Sequence, residues 1–316
     1  MIVMIVSHLI RRCVAMSVVA PAAIPARLLI EQTATISAFL LGAARSLLPK
    51  AKVKERPTLL QTQTPPSPLL LDTYLRWSGA DATRYAGAIP PHMVSARIAL
   101  PLVSALTAQS PYPLLSVLNQ GARLQIHHPL PSGETLQLQG RLLEASDDGY
   151  RARIHSRVEV GTASVPRAIT VDAMAAVMLK KRPDADKAGE RVTPDYQTVA
   201  EWQAGANEGV KFFYMTGDFN PIHTLPAFAK RTRFGGCIMH GYGGFAQIFE
   251  AVQRSGITIA DIDIRFIKPL PLPSPRLQIQ AARTPGADGR YAVRMIDADN
   301  NLYHVGSFLP QGNGTK

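Results

Sequence analysis

Y-M-T-G-D-F-N-P-I-H-T-L-P-A-F-A-K-R-T-R-F-G-G-C-I-M-H-G-Y, residues 214 to 242, sets an acid and a histidine five positions apart, Asp218 and His223, in a closely specified local geometry. Asn is a good helix N-cap and Pro tolerates the first helical position, so Asn220-Pro221 predicts a helical turn that contains His223. Gly217 lets the chain bend sharply just before it, which leaves Asp218 outside the turn. A carboxylate and an imidazole are thereby presented to the same space.

The run His240-Gly241-Tyr242-Gly243-Gly244 then leads into F-A-Q-I-F-E-A-V-Q-R. Phe245, Ile248, Phe249 and Val252 recur at i, i+3, i+4 and i+7, the mark of a helix with one buried face, and Ser255-Gly256 is placed to end it. Phe228, Phe245 and Phe249 read as core. A helix beginning near Gly241 aims unpaired N–H groups and the positive end of its dipole outward, and glycines there let an oxygen approach closely. Acid, base and oxyanion donor are three parts of one kind of site.

Together these residues carry a resemblance. G-D-F-N-P-I-H, followed by a small residue, Phe-Gly and H-G, resembles the signature of the MaoC-like (R)-specific enoyl-thioester hydratases and dehydratases, which have the hot-dog fold. The resemblance implies that Asp218 and His223 handle water and its protons, that the Gly241 N–H polarises the thioester carbonyl, and that no metal or redox cofactor is required. It carries Gly217, Asn220 and His240 along as substrate-binding positions. One departure is visible: a serine that some members bear two turns into the long helix is Phe249 here. A hot-dog thioesterase and a non-catalytic acyl-binding protein stand as alternatives, the second favoured by Phe249.

The chain has 316 residues, enough for two domains, with 46% hydrophobic residues and two cysteines, Cys13 and Cys237. No disulfide framework follows, and a reducing, cytoplasmic setting fits. No metal-ligand spacing occurs apart from the adjacent His127 and His128, which strand alternation sends to opposite faces. The net charge of +11 suits an acidic partner, and acyl-CoA and acyl carrier protein are both acidic. Arg265 and Lys268, after the second half's first strand signal, are candidates for meeting such phosphates, with solvent-facing strand positions as the other reading. A nucleic-acid partner is disfavoured because no reading helix carries the charge.

More than half of that charge falls in residues 1–56. The apolar runs there are broken by Arg11-Arg12, Pro21 and Pro25, too early for a transmembrane helix. Leu29, Ile36, Phe39, Leu40, Ala44 and Leu47 suggest an amphipathic helix from Pro25 to Leu48. Packing on the domains, a peripheral membrane contact and a transit peptide are the three readings, with packing or surface association favoured. P-T-L-L-Q-T-Q-T-P-P-S-P reads as an extended linker, so removal of residues 1–56 is expected to leave catalysis largely intact.

The remainder divides into residues 57–182, a charged connector at 183–195, and residues 196–316. The first part holds a helix from Ser95 to Thr107 and four strands with hairpin turns at Asp147-Asp148-Gly149 and Gly161. G-A-R-L-Q-I-H-H-P-L-P from Gly121 aligns with D-I-D-I-R-F-I-K-P-L-P from Asp261, and L-Q-L-Q-G from Leu136 with L-Q-I-Q-A from Leu277. A repeat of this length implies duplication of a whole domain. Only the second copy bears G-D-x-N-P-x-H, and the first offers Y-A-G-A-I-P-P-H-M-V, with His92 and no acid at the required spacing. The expectation is an α+β double hot dog, each half a curved antiparallel sheet around one helix, with a degenerate first half; a homodimer is left open.

Overall fold

The computed structural model describes residues 24–33, 35–36, 56–113, 116–180 and 194–312. The basic tail after Leu48 and most of the charged connector lie outside those residues. Strands run at Leu59–Gln63 (β1), Leu118–Ile126 (β2), Leu136–Asp147 (β3), Arg151–Gly161 (β4), Ile169–Met178 (β5), Tyr196–Trp202 (β6), Ile259–Phe266 (β7), Leu277–Ala282 (β8), Tyr291–Asp297 (β9) and Leu302–Pro310 (β10). The longer helices are Pro68–Ser78 (α1), Leu100–Thr107 (α2), Glu208–Thr216 (α3) and Gly241–Arg254 (α5), with His223 on the short α4, Pro221–Thr224.

These ten strands join one antiparallel sheet in the order β1-β3-β4-β5-β2-β7-β10-β9-β8-β6, and a two-stranded pairing of Ala88–Ile89 with Leu130–Pro131 stands apart from it. The order is a palindrome of the repeat: each strand of the first half sits where its partner sits in the second, counted from opposite edges. The halves meet where β2 pairs with β7, Leu124 opposite Ile262 and Gly121 opposite Arg265. A side chain on Gly121 would put its Cβ 2.3 Å from the Ile264 carbonyl oxygen, so only glycine permits this approach of the two backbones. The two aligned Pro-containing strands of the sequence repeat are thus the two that touch.

Alternation sets the faces. Ile262 and Ile264 are fully buried toward the helices, while Asp261 and Asp263 point to the other face. There Arg123 of β2 binds Asp261 across the seam with Nε at 3.0 Å, and Arg290 reaches the same carboxylate at 3.0 Å.

Helix α5 begins and ends where its glycines and Ser255 place it, yet it is not one-faced. Every residue from Tyr242 to Gln253 is buried. Its polar stripe faces the first half instead of water: Gln247 Nε2 donates to the Trp77 carbonyl at 3.4 Å, and Glu250 accepts from Tyr85 Oη at 2.6 Å. Trp77 Nε1 adds a bond to Glu208 of α3 at 2.6 Å, also between halves.

Several expectations need correction. The stretch after Arg56 is no linker: Leu59–Gln63 hydrogen-bonds along β3 as the sheet's edge, and Ser67 caps α1 by accepting from Leu70 N at 3.2 Å. The prolines that disfavour a continuing helix are here the start of a new one, with Pro68 at its first position. The N-terminal segment forms a tight helical turn at Ala26–Gln32 whose Leu28 is fully buried, and the rest of the expected amphipathic helix lies largely outside the described residues. His127 and His128 fall past the end of β2, where both backbone amides donate to the Ala168 carbonyl, so strand alternation does not apply to them. Phe228 is 48% exposed, because the turn that carries it runs over the surface and buries only Ala229. No helix among the described residues is long and apolar enough to cross a membrane.

Candidate active site

Gly217 ends α3 in the left-handed conformation, φ 76°, and turns the chain so that Asp218 leaves the helix axis. Asn220 caps α4, its side chain accepting from Ile222 N at 3.2 Å, with Pro221 at the first helical position. Imidazole His223 is then fixed by its own Nδ1, which donates to the Ile238 carbonyl at 2.8 Å. A carbonyl only accepts, so Nδ1 carries the proton and the lone pair sits on Nε2.

Asp218 and His223 share no hydrogen bond, but each feels the other's charge. Burial holds the Asp218 carboxyl above the usual carboxylate range, against the pull of His223. Burial and the neighbouring His240 push His223 down to about 3, so it is neutral at any ordinary pH. A neutral imidazole with a free Nε2 beside a carboxylate that holds its proton more tightly than usual is suited to moving protons to and from one water.

Gly241, at the first position of α5, aims its amide out of the helix start, and no carbonyl among the described residues receives it. A methyl there would lie 2.3 Å from the Phe266 ring, so the glycine is needed for packing as well as for access. Tyr242, 2% exposed, follows it; burial and then the Asp218 charge push its hydroxyl well above the ordinary phenol range, which keeps it a donor.

Two further histidines hold this arrangement and were not read as such in the sequence. His240 stacks on His223 with ring centroids 3.8 Å apart, and its Nε2 donates to the Asp218 carbonyl at 3.0 Å. At 1% exposure it positions the acid's backbone and has no face for a substrate. His304 of β10, 3% exposed, donates to the Gly241 carbonyl at 3.1 Å. Nothing local marks His304, since its partner lies 63 residues away; the glycine at 244, whose Cβ would fall 2.5 Å from the His304 ring, is the one available sign.

The structure thus brings Asp218, His223 and Gly241 together, with Asn220 as a cap. It does not bring Arg265 or Lys268. Arg265 alternates with Ile264 and Phe266, so it lies on the opposite sheet face, bonded to Met174 and to Asp263 at 3.1 Å. Lys268 is tied to Asn301 Oδ1 at 2.8 Å. Gly217 turns its open face to the N-terminal segment, not to a substrate.

The buried histidines set the pH dependence of stability. His240 and His304 are each pushed down to about 4, desolvation being the largest cause. Unfolded, they would take a proton near pH 6.5, so the unfolded state binds more protons below that pH. Their stability contribution, together with that of His223, is whole above about 6.5 and is lost as the pH falls toward 4, at about 4 kcal/mol per pH unit for the three. Denaturation midpoints between pH 7 and 4 should show this slope, and His304→Gln should remove about a third of it; an unchanged slope contradicts the assignment.

Comparisons with known proteins agree on the fold. Residues 187–302 match the family model of the MaoC like domain. A peroxisomal hydratase-dehydrogenase-epimerase of Neurospora crassa is 28% identical over 153 residues, 44% of this chain but 17% of that protein. The chain therefore spans about a sixth of that curated relative. HtdX of Mycobacterium tuberculosis superposes with a TM-score of 0.64 at 17% identity, covering 81% of this chain and 100% of that one. A second protein of that organism, described as having a double hotdog fold, superposes with a TM-score of 0.50 at 13% identity, over 82% of this chain and 97% of that one.

Proposed function

From a chain that carries a MaoC-like domain in a double hot-dog fold, we infer a reversible hydration and dehydration between trans-2-enoyl thioesters and (R)-3-hydroxyacyl thioesters. The observation that supports it is the convergence of Asp218, neutral His223 and the unpaired Gly241 amide in the one half that bears G-D-x-N-P-x-H.

The chemistry accounts for each group. Water adds across the double bond with its oxygen at C3 and a proton at C2, so charge passes through an enolate whose oxygen needs a donor. The Gly241 N–H, at the positive end of buried α5, supplies it. The water gives up one proton as its oxygen attacks, and the carboxylate of Asp218 and the free Nε2 of His223 are the acceptors beside it. The proton taken from water is passed on to C2 of the enolate, and in the reverse direction the same groups take the C2 proton and return one to the departing hydroxyl. His240 and His304 act one step back, by fixing the backbones of Asp218 and Gly241.

The carrier is a CoA or acyl carrier protein thioester, and no basic residue of the sheet is assigned to it. Incubation of the purified protein with trans-2-enoyl-CoA esters of several chain lengths should bleach the conjugated enoyl absorbance and yield the (R)-3-hydroxy product. Free thiol released without C3 hydroxylation would instead show a thioesterase, and binding without turnover an acyl-binding protein.

Gly241→Ala tests the donor separately. The added Cβ must displace the Phe266 ring, and with it the helix start. A shift of about 1 Å at a reacting group costs up to about 10²-fold, so turnover should fall between about tenfold and a hundredfold with KM little changed. An undiminished kcat would remove Gly241 from the mechanism.

A further inference from the structure

We propose that the described N-terminal residues, 24–33 and 35–36, form a positioning strap for the Asp218 loop, locked by Arg97, and that the site is incomplete without it. The inference deepens the hydratase reading in its kinetic test only.

The segment joins both halves. Leu28 and Gln32 are fully buried and Thr35 is 7% exposed, on a turn whose Gln32 Nε2 donates back to the Leu28 carbonyl at 3.2 Å. Toward the first half it presents oxygen atoms. Arg97 Nε donates to Gln32 Oε1 at 3.0 Å and a terminal Arg97 nitrogen to the Glu31 carbonyl at 3.3 Å. The Glu31 carboxylate in turn receives Ser67 Oγ at 2.6 Å and Ser67 N at 3.3 Å, at the start of α1.

Arg97 is 8% exposed, and burial draws its guanidinium down to about 10 in spite of Glu31 nearby. A buried guanidinium without acceptors is strongly unfavourable. Among the described residues both of its acceptors come from the strap, so the arginine is at home only while the strap is in place.

Toward the second half the strap presses on Gly217. A Cβ on Gly217 would fall 2.9 Å from Thr35 Cβ and 3.0 Å from Gln32 Cβ, so the strap fills the space over the left-handed residue that aims Asp218. Gly217 N donates to the Phe213 carbonyl at 2.8 Å on one side, and the strap closes the other. The rotation of the chain into Asp218 is therefore held between α3 and the strap. This reverses the expectation that residues 1–56 are dispensable, and the physical reason is a tertiary contact spanning some 180 residues.

The test uses the full-length protein with Gln32→Ala and, separately, Arg97→Ala. Gln32→Ala keeps Leu28 in the core and leaves Arg97 the Glu31 carbonyl, so it is the milder change. Expected are a kcat lowered by about tenfold or more with KM within about threefold, consistent with loss of alignment rather than of binding. Amide exchange should quicken in residues 214–223 and stay unchanged in α5. Should wild type turn over no enoyl thioester, the activity reading fails, and the exchange measurement still decides the strap. Unchanged exchange at 214–223 in both variants overturns the proposal. So does a rise in KM alone, which would make the segment a binding wall, or a uniform rise in exchange, which would make it ordinary packing.

Discussion

Asp218→Asn should lower turnover of an enoyl thioester by about 10²–10⁴, the range typical of a positioned acid or base, with the thermal transition preserved. The amide keeps the shape and loses the ability to take a proton. His223→Ala should fall in the same range, because Nε2 is the imidazole's free nitrogen and Nδ1 is spent on the Ile238 carbonyl. The double variant should be little slower than the slower single one, since groups that serve one water act as a unit and their losses do not multiply. Losses that multiply would mean two independent roles. Near-normal turnover in Asp218→Asn would sink the hydratase reading.

The pH profile belongs to the same argument. Asp218 must be ionised to accept a proton, and burial raises its pKa, so activity should fall on acidification at a pH above the ordinary carboxylate range. No loss from protonation of His223 should appear near neutrality, because that ring stays neutral down to about 3. A limb near pH 6.5 that disappears in His223→Ala would contradict this environment.

His92→Ala should behave in the opposite way: little change in the turnover of folded protein, and a stability loss of about 3–5 kcal/mol. The sequence offers His92 no acid. The structure supplies one from the other half, with His92 Nε2 2.7 Å from Glu250 Oε1 and Nδ1 3.0 Å from Tyr74 Oη. Both side chains are essentially inaccessible, 0% and 1%, and Glu250 Oε2 already lacks a partner. Removing the histidine leaves a buried carboxylate with Tyr85 alone and opens a cavity against Phe249, whose ring centroid lies 5.1 Å from that of His92. A denaturant series reads the loss directly. A midpoint within experimental error of wild type would show that the cluster is not a lock between the halves, and a rate loss matching that of His223→Ala would make the first half catalytic.

The two histidines illustrate how much could be read in advance. His223 was legible because its partners are local: the Asn220 cap, Pro221 and the left-handed Gly217 lie within six residues, and each leaves a mark on residue type. His92 lies 158 residues from Glu250, and a contact at that separation imposes no periodicity on either segment. The same holds for His304, found through the carbonyl of Gly241, and for His240 of the H-G pair, whose role as a brace for Asp218 depends on ring stacking that spacing does not express. Phe249, read as core, is the packing surface for His92.

By itself the sequence determined the local geometry of the acid and the base, the start and end of α5, most of the strands by their alternation, and the duplication, because each depends on interactions a few residues long or on a repeated pattern. Tertiary structure alone decided the palindromic joining of the sheets at β2 and β7, the turning of α5's polar stripe toward the other half, and the removal of Arg265 to the far face. It also decided that the N-terminal segment, read as packing on the domains or associating with a surface, lies against Gly217. Burial is the physical reason: whether Gln32, Arg97, Glu250 or His304 is a surface group or a satisfied core group depends on what covers it, and the cover comes from distant parts of the chain.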